Sequence, residues 1–114
     1  MKNRDSPFVY ICSPYSGDTA GNTKKARRYC RLALENGKIP IAPHLYLPQF
    51  ISEETEREAA LAAGLRFLDI CREVWVFGGR ISDGMKREIA HAEEAGIPVI
   101  SMKEDSECTQ SKKG

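Results

Sequence analysis

Phe8-Val-Tyr-Ile-Cys12, followed at once by Ser13-Pro-Tyr-Ser-Gly-Asp18, sets the fold class of this chain. The first five residues are apolar without alternation and are cut off by turn formers, the pattern of a short strand buried on both faces. A helical pattern follows from about Asn22 or Thr23, either of which can cap it. Its apolar side chains Ala26, Tyr29, Cys30, Ala33 and Leu34 fall on one face, Lys24, Lys25, Arg27, Arg28 and Arg31 on the other, and Asn36-Gly37 ends it. Lys38 to Ala42 reads as a second strand stopped by Pro43.

The alternation continues outward from there. His44 to Ile51 reads as a loop, Ser52 to Cys71 as a long helix carrying Leu61, Leu65 and Leu68, and Glu73 to Phe77 as a third strand broken by Gly78-Gly79. Ser82 or Asp83 caps a last helix that runs to Ala95 and closes at Gly96, and Ile97 to Ser101 is a fourth strand. The order β-α-β-α-β-α-β with apolar strands predicts a single α/β domain of three αβα layers, Rossmann-like (flavodoxin-like), around a parallel sheet of about four strands. Its bounds are residues 7–102, with a disordered N-terminus at 1–6 and a polar, flexible tail at 103–114.

The composition excludes several classes of function. Seventeen Lys and Arg against 16 Asp and Glu leave a net charge of +1, so no global field points to a nucleic-acid polymer or a membrane surface. No apolar run has the roughly 20 residues of a membrane span, and Met1 to Ser6 lacks a secretory signal's apolar core. The four cysteines, Cys12, Cys30, Cys71 and Cys108, show no metal-binding or disulfide spacing and are expected as reduced thiols in a cytoplasmic protein. Neither a metal site nor a cofactor is expected.

In an open parallel sheet, ligands bind outside the carboxyl ends of the strands, which here selects Ser13 to Asp18, Pro43 to Gln49 and Gly78 to Gly84. Ser13, Tyr15, Ser16 and Gly17 offer hydroxyls and backbone N–H groups of the kind that cradle phosphate; the same residues also make a plain strand-to-helix turn. His44 stands at the ligand end of the second strand, as a ligand contact or as a structural hydrogen-bonding residue. His91 reads as structural. On the last helix Met85, Ile89, Ala92 and Gly96 form the inward stripe, and Glu88 lies at its edge. A carboxylate there either faces a ligand cleft, where it suits a nucleophile, or pairs with Arg87, Lys86 or a neighbouring basic residue; periodicity leaves both open. Ser82, Gly84 and Met85 form a helix start able to hold an anion or a sugar hydroxyl, and Ser82 and Asp83 serve equally as simple caps.

Tyr10-Ile-Cys-Ser-Pro-Tyr15, Pro43-His44, Glu73-Val-Trp-Val-Phe77 and Ser82-Asp-Gly-Met-Lys-Arg-Glu88-Ile-Ala-His-Ala92 together resemble the nucleoside 2-deoxyribosyltransferase-like superfamily, in order across residues 8–101. The chain is similar to a small bacterial and phage branch of it and to its nucleoside monophosphate N-glycosidases. The resemblance implies cleavage of a base–sugar bond by hydrolysis or deoxyribosyl transfer. In that scheme Glu88, in the Gly84–Glu88–Ala92 signature, is the nucleophile and Tyr10 positions it. Ser82 stands where the monophosphate hydrolases carry serine, and His44 matches a histidine that contacts the base. The second acid has two candidates: Asp69, about one turn off register, and Asp83. A nucleoside or nucleoside monophosphate is then the implied partner and a homo-oligomer, dimer or larger, the implied assembly, with Leu45 to Ile51 as a possible contact. The alternative is a non-catalytic protein that senses or sequesters a nucleotide derivative on the same scaffold.

Overall fold

The computed structural model describes residues 6–52 and 54–102, so the tail at 103–114, Cys108 with it, and nearly all of the N-terminus at 1–6 lie outside the described residues. Strands β1 (Phe8–Cys12), β2 (Ile39–Ile41), β3 (Glu73–Val76) and β4 (Val99–Ser101) alternate with helices α1 (Thr19–Glu35), α2 (Pro43–Tyr46), α3 (Arg57–Asp69) and α4 (Asp83–Ala95). The four strands form one all-parallel sheet in the order β2-β1-β3-β4. The chain is therefore an α/β domain of the Rossmann-like, three-layer kind. The order reverses beside β1, whose Val9 to Cys12 lie in register with Glu73 to Val76.

Period-two alternation sends successive side chains of β1 and β3 to opposite faces. Val9, Ile11, Trp75 and Phe77 turn toward α1 and close on Tyr29 and Ala33, with the Tyr29 and Phe77 rings stacked at 4.0 Å. Tyr10, Cys12, Val74 and Val76 turn to the other side and close on Leu68, Met85 and Ala92 of α3 and α4. The central strands are thus covered on both faces, which is why their sequences are continuously apolar rather than alternating. Among the described residues no helix is long and apolar enough to cross a membrane.

Several boundaries differ from the sequence expectation. Helix α1 starts at Thr19 rather than Asn22 or Thr23, because Asp18 is the cap and accepts a hydrogen bond from the Gly21 N–H at 3.2 Å. Asn22, now inside the first turn, donates its amide to the carbonyls of Tyr15 and Ser16, each at 3.1 Å, and so fastens the loop after β1. Leu34, expected on the inward face, is 42% exposed. The segment expected as a loop from His44 to Ile51 contains α2 and a 3₁₀ turn, Leu47–Gln49, each with proline in its first turn, where the fixed φ and missing N–H cost nothing. Helix α3 is shorter than Ser52 to Cys71. Its approach folds instead into a turn in which Ser52 N–H donates to Glu56 Oε1 at 2.9 Å and Thr55 N–H donates to Ser52 Oγ at 3.3 Å. Strands β2, β3 and β4 each lose one or two terminal residues relative to their apolar runs.

Candidate active site

The loops after β1, β2 and β3 converge with α3 and the first turns of α4 around a cleft of about 390 Å³. Its geometry is built around Glu88. The Tyr10 phenol donates to Glu88 Oε2 at 2.8 Å and the Cys12 thiol donates to Oε1 at 3.3 Å. Tyr10 and Cys12 are two residues apart on β1 and share a face of the sheet, so one strand fixes both oxygens of one carboxylate. Both donors are held protonated. Burial first, and then the Glu88 charge and hydrogen bond, push the Tyr10 hydroxyl and the Cys12 thiol well above their ordinary values. The thiol is therefore a hydrogen-bond donor and no nucleophile.

Glu88 is half-buried and lines the cleft. Arg87, one of the partners the sequence offers Glu88, is engaged elsewhere: its guanidinium forks onto the Glu58 carboxylate, with both N–O distances 3.2 Å, and ties α4 to α3 at the surface. That pair raises the Arg87 pKa and lowers that of Glu58 through their mutual hydrogen bonds.

Helix α4 reaches this position through its cap. Ser82 takes extended backbone, and its hydroxyl accepts from the Met85 N–H at 3.2 Å, which anchors the first turn at the cleft mouth. Ser82, Asp83, Gly84 and Met85 all line the cleft, Met85 buried and Asp83 exposed. Gly96 closes the helix with φ of 77°, a left-handed conformation that glycine adopts without a Cβ clash.

On the opposite wall Ser13 Oγ and His44 Nε2 share a hydrogen bond of 3.1 Å, and the Tyr15 ring meets His44 edge-on at 6.4 Å. Burial pulls the His44 pKa down to about 4, so the imidazole is neutral near pH 7 and offers one donor and one acceptor. Ser16 also lines the cleft.

Two of the sequence candidates are not brought to this cleft. Gly17 sits at the outer bend of its loop with φ of 96°, a turn position rather than a lining one. Asp69 ends α3 at the far side, where its Oδ1 lies 2.6 Å from His91 Nε2. The one-turn offset of Asp69 from the required register carries its side chain down the helix, away from Glu88. Asp83 is the candidate second acid that does line the cleft.

The structure adds residues that sequence reasoning missed. Gly64 on α3 is buried against the Tyr10–Glu88 pair: a Cβ there would lie 3.3 Å from Tyr10 Oη and 4.0 Å from Glu88 Oε2. The signal for it was a lone glycine inside an alanine-rich helix, where alanine would be about 1 kcal/mol better. Cys12, read only as a small buried hydrophobe, turns out to hold the carboxylate, a role that no spacing reveals. Arg57 and Leu61 of α3 complete the rim. Among the described residues no group of three or more His, Cys, Asp or Glu side chains is placed to hold a metal ion, and Cys12, Cys30 and Cys71 are free.

Comparison with curated proteins finds none that matches the chain. Residues 7–102, which hold all nine helical and strand segments of the described residues, match a domain family described as a domain of unknown function, DUF7768. The chain belongs to the DUF7768 family.

Proposed function

We propose that the protein cleaves the base–sugar bond of a nucleoside or nucleoside monophosphate, by hydrolysis or by transfer of the deoxyribosyl group, with Glu88 as nucleophile. The observation that carries this reading is a carboxylate whose two oxygens are each fixed by a donor from β1 while it borders a ligand-sized cleft. The chemistry requires that arrangement. Breaking a C–N glycosidic bond leaves the sugar cation-like, and a carboxylate already aligned with the anomeric carbon stabilises that charge without reorganisation. Glu88 then forms a bond to the anomeric carbon as the bond to the base breaks, and the base leaves with its electron pair and gains a proton. Asp83, which lines the cleft, is the acid proposed for that proton, and neutral His44, which lines it too, is the proposed hydrogen-bonding partner of the base. Water, or a second base, attacks the glycosyl-enzyme and frees Glu88.

The test is release of free base from a panel of nucleosides and nucleoside monophosphates, followed by chromatography. The wild type is expected to release base, and Glu88→Gln, which keeps the shape of the side chain, is expected to bind ligand while losing at least about a hundredfold in turnover. An unchanged rate in Glu88→Gln removes the residue from the mechanism. Tight binding with no base released over hours favours the sensing or sequestering protein instead, a reading that draws support from Asp69 lying outside the cleft.

A further inference from the structure

The sheet divides the ligand end of the molecule in two. The Glu88 cleft lies on the α3–α4 side. On the α1 side a second recess of about 240 Å³ opens between the start of α1 and the turn after β3. Ser13, just past the end of β1 where the strand order reverses, lines both.

Their chemistry differs. The charged side chains of the second recess are Lys25 and Arg80, and no carboxylate lines it, whereas the first sets Glu88 and Asp83 beside Arg57 and Arg87, the last of these engaged with Glu58. Its wall after β3 is Gly78-Gly79. Gly78 has φ of 94°, which lets the chain turn sharply, and a Cβ added at Gly79 would meet nothing within 4 Å, so this backbone borders open space. On the other wall Asn22 is held rigid by the Tyr15 and Ser16 carbonyls. At this size the recess falls below the roughly 300 Å³ at which pockets begin to enclose an organic ligand. It suits a compact anionic group attached to something larger.

We propose that this recess binds the phosphate chain of the ligand whose base–sugar half lies beside Glu88, so that a nucleoside diphosphate or longer chain is preferred over a monophosphate. For the sugar half alone this rests on the function proposed above. The chain passes over Ser13, and Lys25 and Arg80 neutralise its terminal charge, the guanidinium taking two phosphate oxygens at once.

The experiment is calorimetric titration of inorganic diphosphate into the wild type, Lys25→Ala/Arg80→Ala and the conservative Lys25→Arg/Arg80→Lys protein. Matched nucleoside mono- and diphosphates are titrated into each of these in the Glu88→Gln background, where they are not consumed. The expected result is at least tenfold tighter binding of the diphosphate than of its monophosphate. The alanine pair abolishes that preference and the binding of inorganic diphosphate, and the conservative pair restores both. Equal affinity for mono- and diphosphate, or a preference that persists in the alanine pair, overturns the proposal. Inorganic diphosphate has no glycosidic bond, so its loss in the alanine pair supports the recess even where the wild type releases no base. Base release without any diphosphate preference overturns the recess and leaves the glycosidase reading intact.

Discussion

Tyr10 shows how much one hydroxyl does in this protein. It is buried and donates to Glu88 Oε2 at 2.8 Å, while Gly64 leaves it the space to do so. Tyr10→Phe keeps the ring in the core but removes a donor from a half-buried carboxylate. It should lower stability by about 1–2 kcal/mol in chemical denaturation and reduce kcat by roughly tenfold with KM little changed, since the loss falls on alignment. His44 gives a different residue-scale signature, in pH. The folded imidazole stays neutral down to about pH 4, whereas the unfolded chain's protonates near 6.5. Above that value both states are neutral and the residue adds no pH dependence. As pH falls from 6.5 toward 4 the unfolded state binds more protons, so stability drops through that window and the full loss is reached below it. Between pH 7 and 5.5 the wild type should lose about 1 kcal/mol more than His44→Gln, measured as the difference between their urea midpoints at the two pH values. An identical slope in the two proteins would contradict the partly buried, neutral imidazole.

At the scale of elements, α4 is the helix on which the site depends. Its ends are legible in the sequence: Ser82 caps it and Gly96 closes it, both as their residue types require. Ser82→Ala removes the acceptor for the Met85 N–H and should cost about 1 kcal/mol in thermal or urea unfolding. Because Ser82 also lines the cleft, nucleotide affinity is the second readout, and a loss of stability with affinity unchanged would limit the residue to capping. Helix α1 was less legible. Asp18, Asn22 and Thr23 are all good caps, and the choice among them fell to the loop after β1, whose Tyr15 and Ser16 carbonyls engage the Asn22 amide. The segment from His44 to Ile51 reads as a loop in the sequence because a single turn is too short to show a helical period; Pro43 and Pro48 are the available sign of first-turn positions.

For the whole molecule, one domain of about a hundred residues carries two cavities at its switch point, both lined by Ser13, so ligand binding and global stability are coupled. A nucleotide present at a hundred times its dissociation constant adds about 2.7 kcal/mol to the folded state, which for a domain of this size raises the melting temperature by roughly 10 °C. A thermal shift with nucleoside diphosphates in the Glu88→Gln protein measures this, and a melting temperature indifferent to every nucleotide would argue against a nucleotide site. The sequence by itself determined the layer order, the parallel sheet, the three ligand-end loops and the inward-edge placement of Glu88. Each of these follows from local periodicity and from the right-handed β-α-β connection, which leave few alternatives. Only the tertiary structure decided which side chains meet there. Tyr10, Cys12, Gly64 and Glu88 come from three elements and lie up to 78 positions apart. Their contact, like the exclusion of Asp69 and the place of Ser13 in the lining of two cavities, depends on helix rotation and sheet register, which are fixed by packing across the whole core and not by any one segment.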